Sequence, residues 1–251
     1  MLRAVSEEPI VIEIEKLSEV EYVLVGLPDT GLVGTIALGH AIRSKKMREI
    51  GYFAPRALPP MLVVHNGEPK SPVRIYANDN FAALISEAPL PLETYQELAP
   101  HLAKWTEEKK ARLLISLTGI GVQNRVEVIE PQVFSVGSTA EVRESLRSKG
   151  ILPLEEGFVV GPQAILLEEC MEKTIPMAVL LAQSHTQFPD PVAAAAIVQN
   201  LNQVFGFKID VKELVQEAEE FRIRLRELMN RTQQSLGTVK SQEGELPALY
   251  T

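Results

Sequence analysis

The feature that most constrains this chain is its alternation of short β-branched runs with helical stretches. Residues 22–27 (Tyr-Val-Leu-Val-Gly-Leu) read as a buried strand, and a turn carrying Pro28 and Gly31 leads into a helix over about 32–46. Strands follow over 61–65 and 73–77, expected to pair around the turn-rich Asn66-Gly67-Glu68-Pro69, and another over 81–86. A helix over 92–110 starts behind Pro91 and is expected to bend at Pro100. Strands over 112–118 and 132–136 come next, then a helix that opens at Ser138-Thr139-Ala140-Glu141 and stops at Gly150. A short strand over 158–161, a helix over 164–173, a strand over 177–182 and an alanine-rich helix over 191–205 complete the series. Strands alternating with helices predict a largely parallel sheet covered on both faces. The two-strand insertion near 61–78 makes that sheet mixed.

The end of the chain follows another rule. Val211, Leu214, Ala218, Phe221, Leu225 and Leu228 recur three and four apart, a seam of period 3.5 that predicts a long helix over 211–236. Such a helix packs on its own subunit's sheet or also pairs between subunits, and the pattern leaves both open. Residues 1–236 are therefore expected to form a single domain. Beyond it, 237–251 read as a flexible polar tether that turns apolar at Leu246-Pro247-Ala248-Leu249-Tyr250-Thr251.

Composition narrows the function. A net charge of −8, almost wholly from glutamate, repels phosphate backbones, so no nucleic-acid partner is expected. The single cysteine, Cys170, excludes an intramolecular disulfide framework. The first residues lack a signal-peptide layout, and no apolar run approaches the ~20 residues of a membrane span. The expectation is a cytoplasmic protein with no membrane partner.

Catalytic signals are weak. Gly26-Leu27-Pro28-Asp29-Thr30-Gly31-Leu32-Val33-Gly34 lies between strand and helix, where open α/β sheets hold ligands. Its glycine spacing is not that of a dinucleotide fingerprint, and it lacks the Gly-Lys-Ser/Thr of a Walker A loop. Gly26, Pro28, Asp29, Gly31 and Gly34 thus form either a structural turn or a candidate ligand crevice. Ser116-Leu117-Thr118-Gly119-Ile120-Gly121 ends a strand, either at a ligand crevice or as a bare strand terminus. His40, His65, His101 and His185 have no metal spacing, so no metal or cofactor is expected. Cys170, beside Glu168 and Glu169, makes a poor nucleophile. Asp29, Glu87 and Asp190 are candidate acids or bases that nothing raises above background. No catalytic residue is assigned.

Three stretches in this order resemble the proteasome assembly chaperone family, specifically its archaeal branch. They are Gly26 to Gly34; Phe188-Pro189-Asp190-Pro191 with Ala193 to Ala196 and then Gly206-Phe207-Lys208-Ile209-Asp210; and the terminal Leu249-Tyr250-Thr251. The resemblance covers roughly residues 10–230. It implies a three-layer α/β sandwich with a mixed, mostly parallel sheet, laid out like nucleoside phosphorylases but used as a scaffold. It also implies docking on 20S proteasome α-subunits through Leu249, Tyr250 and Thr251, by a homo-oligomer expected to hold three to five subunits. In that setting Leu249 offers burial worth about 1.5–3 kcal/mol, Tyr250 a flat ring with a hydroxyl, and Thr251 a carboxylate suited to a lysine. The alternatives are a nucleoside phosphorylase-like or hydrolase activity in the Gly26 to Gly34 crevice, and an oligomeric scaffold for an unrelated partner.

Overall fold

A computed structural model describes residues 10–79, 81–216, 218 and 220. Eleven strands and five helices follow in chain order among them. They are β1 (Ile10–Glu13), β2 (Tyr22–Gly26), α1 (Val33–Ser44), β3 (Arg48–Ala54), β4 (Val63–His65), β5 (Glu68–Lys70), β6 (Val73–Ala77) and β7 (Phe81–Ser86). Then come α2 (Leu92–Glu108), β8 (Leu113–Gly121), β9 (Val133–Gly137), α3 (Ala140–Ser148), β10 (Leu152–Pro153), α4 (Pro162–Glu172), β11 (Met177–Ser184) and α5 (Pro191–Phe205).

The large sheet has the order β1-β3-β6-β7-β2-β8-β11-β9-β10. Its four central strands, β7, β2, β8 and β11, run parallel. Antiparallel pairs flank them on both sides. The centre is buried on both faces, which is why β2, β8 and β11 read as near-continuous apolar runs. Successive side chains divide between two cores. Tyr22 and Leu24 face α1, α3 and α5, while Val23 and Val25 face α2 and α4. The result is the expected three-layer α/β sandwich with a mixed sheet.

Local chemistry sets the ends of α5. The Asp190 side chain accepts a hydrogen bond from the Ala193 N–H at its start, and Pro191 takes the first turn. Gly206, at φ 71°, closes it. Ala193 and Ala194 are fully buried, and their small side chains let α5 lie against α1. The chain then turns under the sheet. Phe207 packs on Phe81 (ring centroids 4.7 Å apart) and Tyr22 (5.2 Å). The Asn202 amide bonds the Ile209 N–H (2.7 Å) and carbonyl (2.9 Å).

Several expectations need correction. Residues 61–65 do not pair with 73–77. The two-residue turn Asn66-Gly67, both at positive φ, pairs β4 with β5 instead, and β6 pairs with β3 and β7. Strands β1 and β3 were not anticipated. The strand expected over 158–161 is absent, and Phe158 stands 87% exposed; the strand in this region is β10. Helix α2 is, as expected, one element that carries Pro100 inside it.

The expected helix over 211–236 enters the described residues only at its start, where 212–216 are helical. There Leu214 is buried in its own subunit's core, Val211 packs against that core, and Ala218 is buried. Phe221, Leu225, Leu228, the tether over 237–251 and the motif Leu249, Tyr250 and Thr251 lie outside the described residues. No helix among those described is long and apolar enough to cross a membrane.

Candidate functional site

Strand β2 connects toward one side of the sheet and β8 toward the other, so the carboxyl ends of these neighbours mark a topological switch point. Gly26, Pro28, Asp29, Gly31 and Gly34 all lie there, beside Thr118 to Gly121 and the loop that follows β11.

The chain itself fills much of this space. A Cβ on Gly34 would overlap the Leu117 carbonyl oxygen, and one on Gly26 would stand 2.5 Å from the Gly34 oxygen. On Gly31, at φ 64°, it would overlap the Ser184 hydroxyl. On Gly119 it would lie 2.5 Å from the Thr30 carbonyl. At Gly26, Gly34 and Gly119 backbone therefore presses on backbone, while Gly31 and Gly121 make room for the Ser184 and Thr186 side chains. The Asp190 N–H bonds the Gly31 carbonyl at 2.8 Å, tying the loop after β2 to the start of α5.

Two carboxylates anchor the cluster in different ways. Asp190 is almost fully buried and pairs with Arg125, also buried: Nε lies 2.8 Å from Oδ2 and Nη2 donates to Oδ1 at 3.0 Å. It also accepts from the His185 N–H at 3.1 Å, while Arg125 donates to the Val128 carbonyl at 2.7 Å. Asp190 thus joins three loops, and its oxygens are committed. Burial holds the His185 imidazole below its ordinary value, with Asp190 pulling it up and Arg125 pulling it down.

Asp29 differs. The Thr118 hydroxyl donates to one carboxylate oxygen, and the other is buried without a partner. Gln163, fully buried at the start of α4, stands near it with its amide outside hydrogen-bond geometry. Burial pushes the Asp29 carboxyl from 3.8 up to about 7, against the opposing pull of Thr118 and Gln163. Because this pKa rises on folding, the folded state holds the proton more tightly than the unfolded chain. The resulting stabilisation is complete below 3.8 and is lost as pH rises through about 7. Between pH 5 and 8 the protein should lose on the order of 2 kcal/mol more stability than an Asp29→Asn variant. Urea unfolding at both pH values checks this, and parallel pH profiles would refute it.

The other candidates are elsewhere. Glu87 pairs with buried Arg74 and lies 2.6 Å from His65, while Glu49 bonds Lys70 at 2.9 Å. This cluster fastens the β4–β5 hairpin to the sheet. Cys170 is fully buried, and burial, more than Glu169, pushes its thiol up to about 12. Among the described residues no group of three His, Cys, Asp or Glu could hold a metal ion. Sequence reasoning missed Arg125, Thr118 as the Asp29 partner, and Gln163. The one signal available was Asp190-Pro191, a helix-start pair that marks Asp190 as a cap.

Comparison with known proteins agrees with this architecture. Residues 23–229 match the PAC2 family. An uncharacterised protein of Methanocaldococcus jannaschii is 31% identical over 222 residues, covering 88% of this chain and 86% of the relative. The fold is similar to the crystal structure of Pyrococcus furiosus PbaA, an archaeal homologue of proteasome-assembly chaperone. That match has a TM-score of 0.79 and 29% identity and covers 94% of this chain and 98% of PbaA. It is also similar to Pyrococcus furiosus PbaB, an archaeal proteasome activator, with a TM-score of 0.77 over 89% of this chain and 100% of PbaB; at 21% identity this likeness bears on the fold alone. With the family match spanning most of its length and carrying both glycine-packed motifs, this chain belongs to the PAC2 family.

Proposed function

We propose that this protein is a proteasome-assembly chaperone or activator that docks on the α-ring of the 20S core particle through Leu249, Tyr250 and Thr251. The observation that carries the reading is the likeness to PbaA over nearly the whole of both chains. The switch-point geometry favours a scaffold over catalysis. There Asp190 is committed to its ion pair with Arg125, and glycine-mediated packing brings the loop after β2 against β8 and Ser184. A single short tail binds weakly after the entropy of ordering it is offset, so a homo-oligomer of three to five subunits would supply the needed avidity.

The test is a pull-down of 20S particles or free α-subunits with the whole chain and with a chain ending at Leu236. Loss of capture on truncation supports the tail as anchor; equal capture moves the contact to the folded domain. Tyr250→Ala should weaken binding about thirtyfold per site, the usual cost of an aromatic anchor, and leave the melting temperature unchanged. Surface binding at constant salt reads this. Glu243→Gln, a change in the tether, should bind like the parent.

A further inference from the structure

The central strands begin at Tyr22, Leu113 and Met177, on the edge of the sheet opposite the glycine-packed loops. There α3 and the carboxyl end of α5 enclose a half-open cavity of about 330 Å³. Its walls are apolar: Leu113, Val142, Leu146 and Pro176, with the rings of Tyr22 and Phe205. Those two rings meet edge to face at 5.7 Å, and Phe207 packs behind both, so the part of each ring that lines the cavity is the aromatic surface it offers. The volume falls at the lower end of small-molecule sites, too small for a docked helix.

The rim is cationic in a chain whose net charge is −8. Arg112 and Lys149 both line the cavity and both are exposed. The Lys149 ammonium sits over the Phe205 ring, 4.9 Å from its centroid, so it marks the boundary between charged rim and aromatic wall. Arg112 has a loose partner in Glu21, 3.5 Å away. Glu141 is the one acid in the lining, and its carboxylate is turned back on its own backbone N–H and the Thr139 hydroxyl, which hold its pKa low. It therefore occupies the amino-terminal end of α3 and leaves Lys149 for an incoming anion, while Glu21, held by the Tyr22 hydroxyl, is the exposed acid that an anion at Arg112 would displace.

From this combination we infer that the cavity binds a small planar aromatic carboxylate, its ring against Tyr22 and Phe205 and its anion between Arg112 and Lys149. Nothing in this site depends on proteasome docking.

Three probes of one shape and different charge test it by isothermal titration of the full chain: indole-3-acetate, indole-3-acetamide and tryptamine. The carboxylate should bind saturably, the neutral amide about tenfold more weakly for want of a charge-assisted contact, and the amine not at all. Raising the salt should weaken the carboxylate and leave the amide alone. Ser145→Trp places a ring into the cavity from an exposed position on α3 and should abolish binding, with the melting temperature unchanged. Lys149→Glu, a substitution at an exposed rim position, should weaken the carboxylate about tenfold or more with the fold retained by circular dichroism, and decides the matter if Ser145→Trp perturbs folding. Equal affinity for the three probes, indifference to both substitutions, or no saturable binding up to about 10 mM overturns the assignment.

Discussion

Gly34→Ala is expected to destabilise the protein by at least about 3 kcal/mol, a loss of roughly 6–12 °C in melting temperature for a chain of this size. The added methyl would overlap the Leu117 carbonyl oxygen of β8, and both partners are backbone. No rotamer change relieves such a clash; α1 must move off the sheet. The control lies five residues along the same helix. A Cβ on Gly39 meets Arg43 Nη1 at 3.6 Å and Ile85 Cδ1 at 3.7 Å, ordinary contacts. Gly39→Ala should therefore stabilise by up to about 1 kcal/mol, the helix-propensity difference between the two residues. If both substitutions behave alike in thermal melts, close packing at Gly34 is not what holds the loop after β2 in place.

The second large effect is expected at the buried ion pair. Asp190→Ala leaves the Arg125 guanidinium uncompensated in the interior, which costs about 3–5 kcal/mol. It also removes the α5 cap, worth about 1 kcal/mol, and the acceptor for the His185 N–H. The effects share one side chain, so they are not additive. Arg125→Met combined with Asp190→Asn should recover a large part of the loss, since the amide retains the cap and no charge is stranded. Arg125→Met alone should be nearly as damaging as Asp190→Ala, because the carboxylate is then left buried without its cation. A double-mutant cycle of Arg125→Met and Asp190→Asn, singly and together, by urea unfolding measures the coupling. A double variant as unstable as Asp190→Ala would mean that the pair is not the source of the cost.

The elements that could be read from the sequence were those with strong local patterns. Strands β2, β8 and β11 are buried on both faces, so their apolar runs are continuous, and α5 carries Asp190, Pro191 and Gly206 at the positions that start and stop a helix. Strand β3 (Arg-Glu-Ile-Gly-Tyr-Phe-Ala) is a marginal strand of mixed polarity, and its identity comes from pairing with β1 and β6. Residues 158–161 show the converse. Val159 and Val160 have strand-like side chains, but no neighbouring strand accepts them, and Phe158 is left in solvent. Pairing is a property of the assembled sheet, and a run of four residues does not contain it.

The candidate site divides along the same line. Local pattern alone determined that Gly26 to Gly34 joins a strand to a helix and needs several residues without a Cβ. It also determined that Asp190 stands before a proline at a helix start. Those are short-range consequences of backbone geometry and helix ends. Only the tertiary structure decided what each residue meets. Gly34 faces Leu117, 83 positions away by sequence number; Asp190 faces Arg125, and Asp29 faces Thr118. Whether a carboxylate is an ion-pair partner or a proton-holding acid depends on burial and on the charge brought beside it. Both are set by strand order and helix packing, which bring distant segments together at one edge of the sheet.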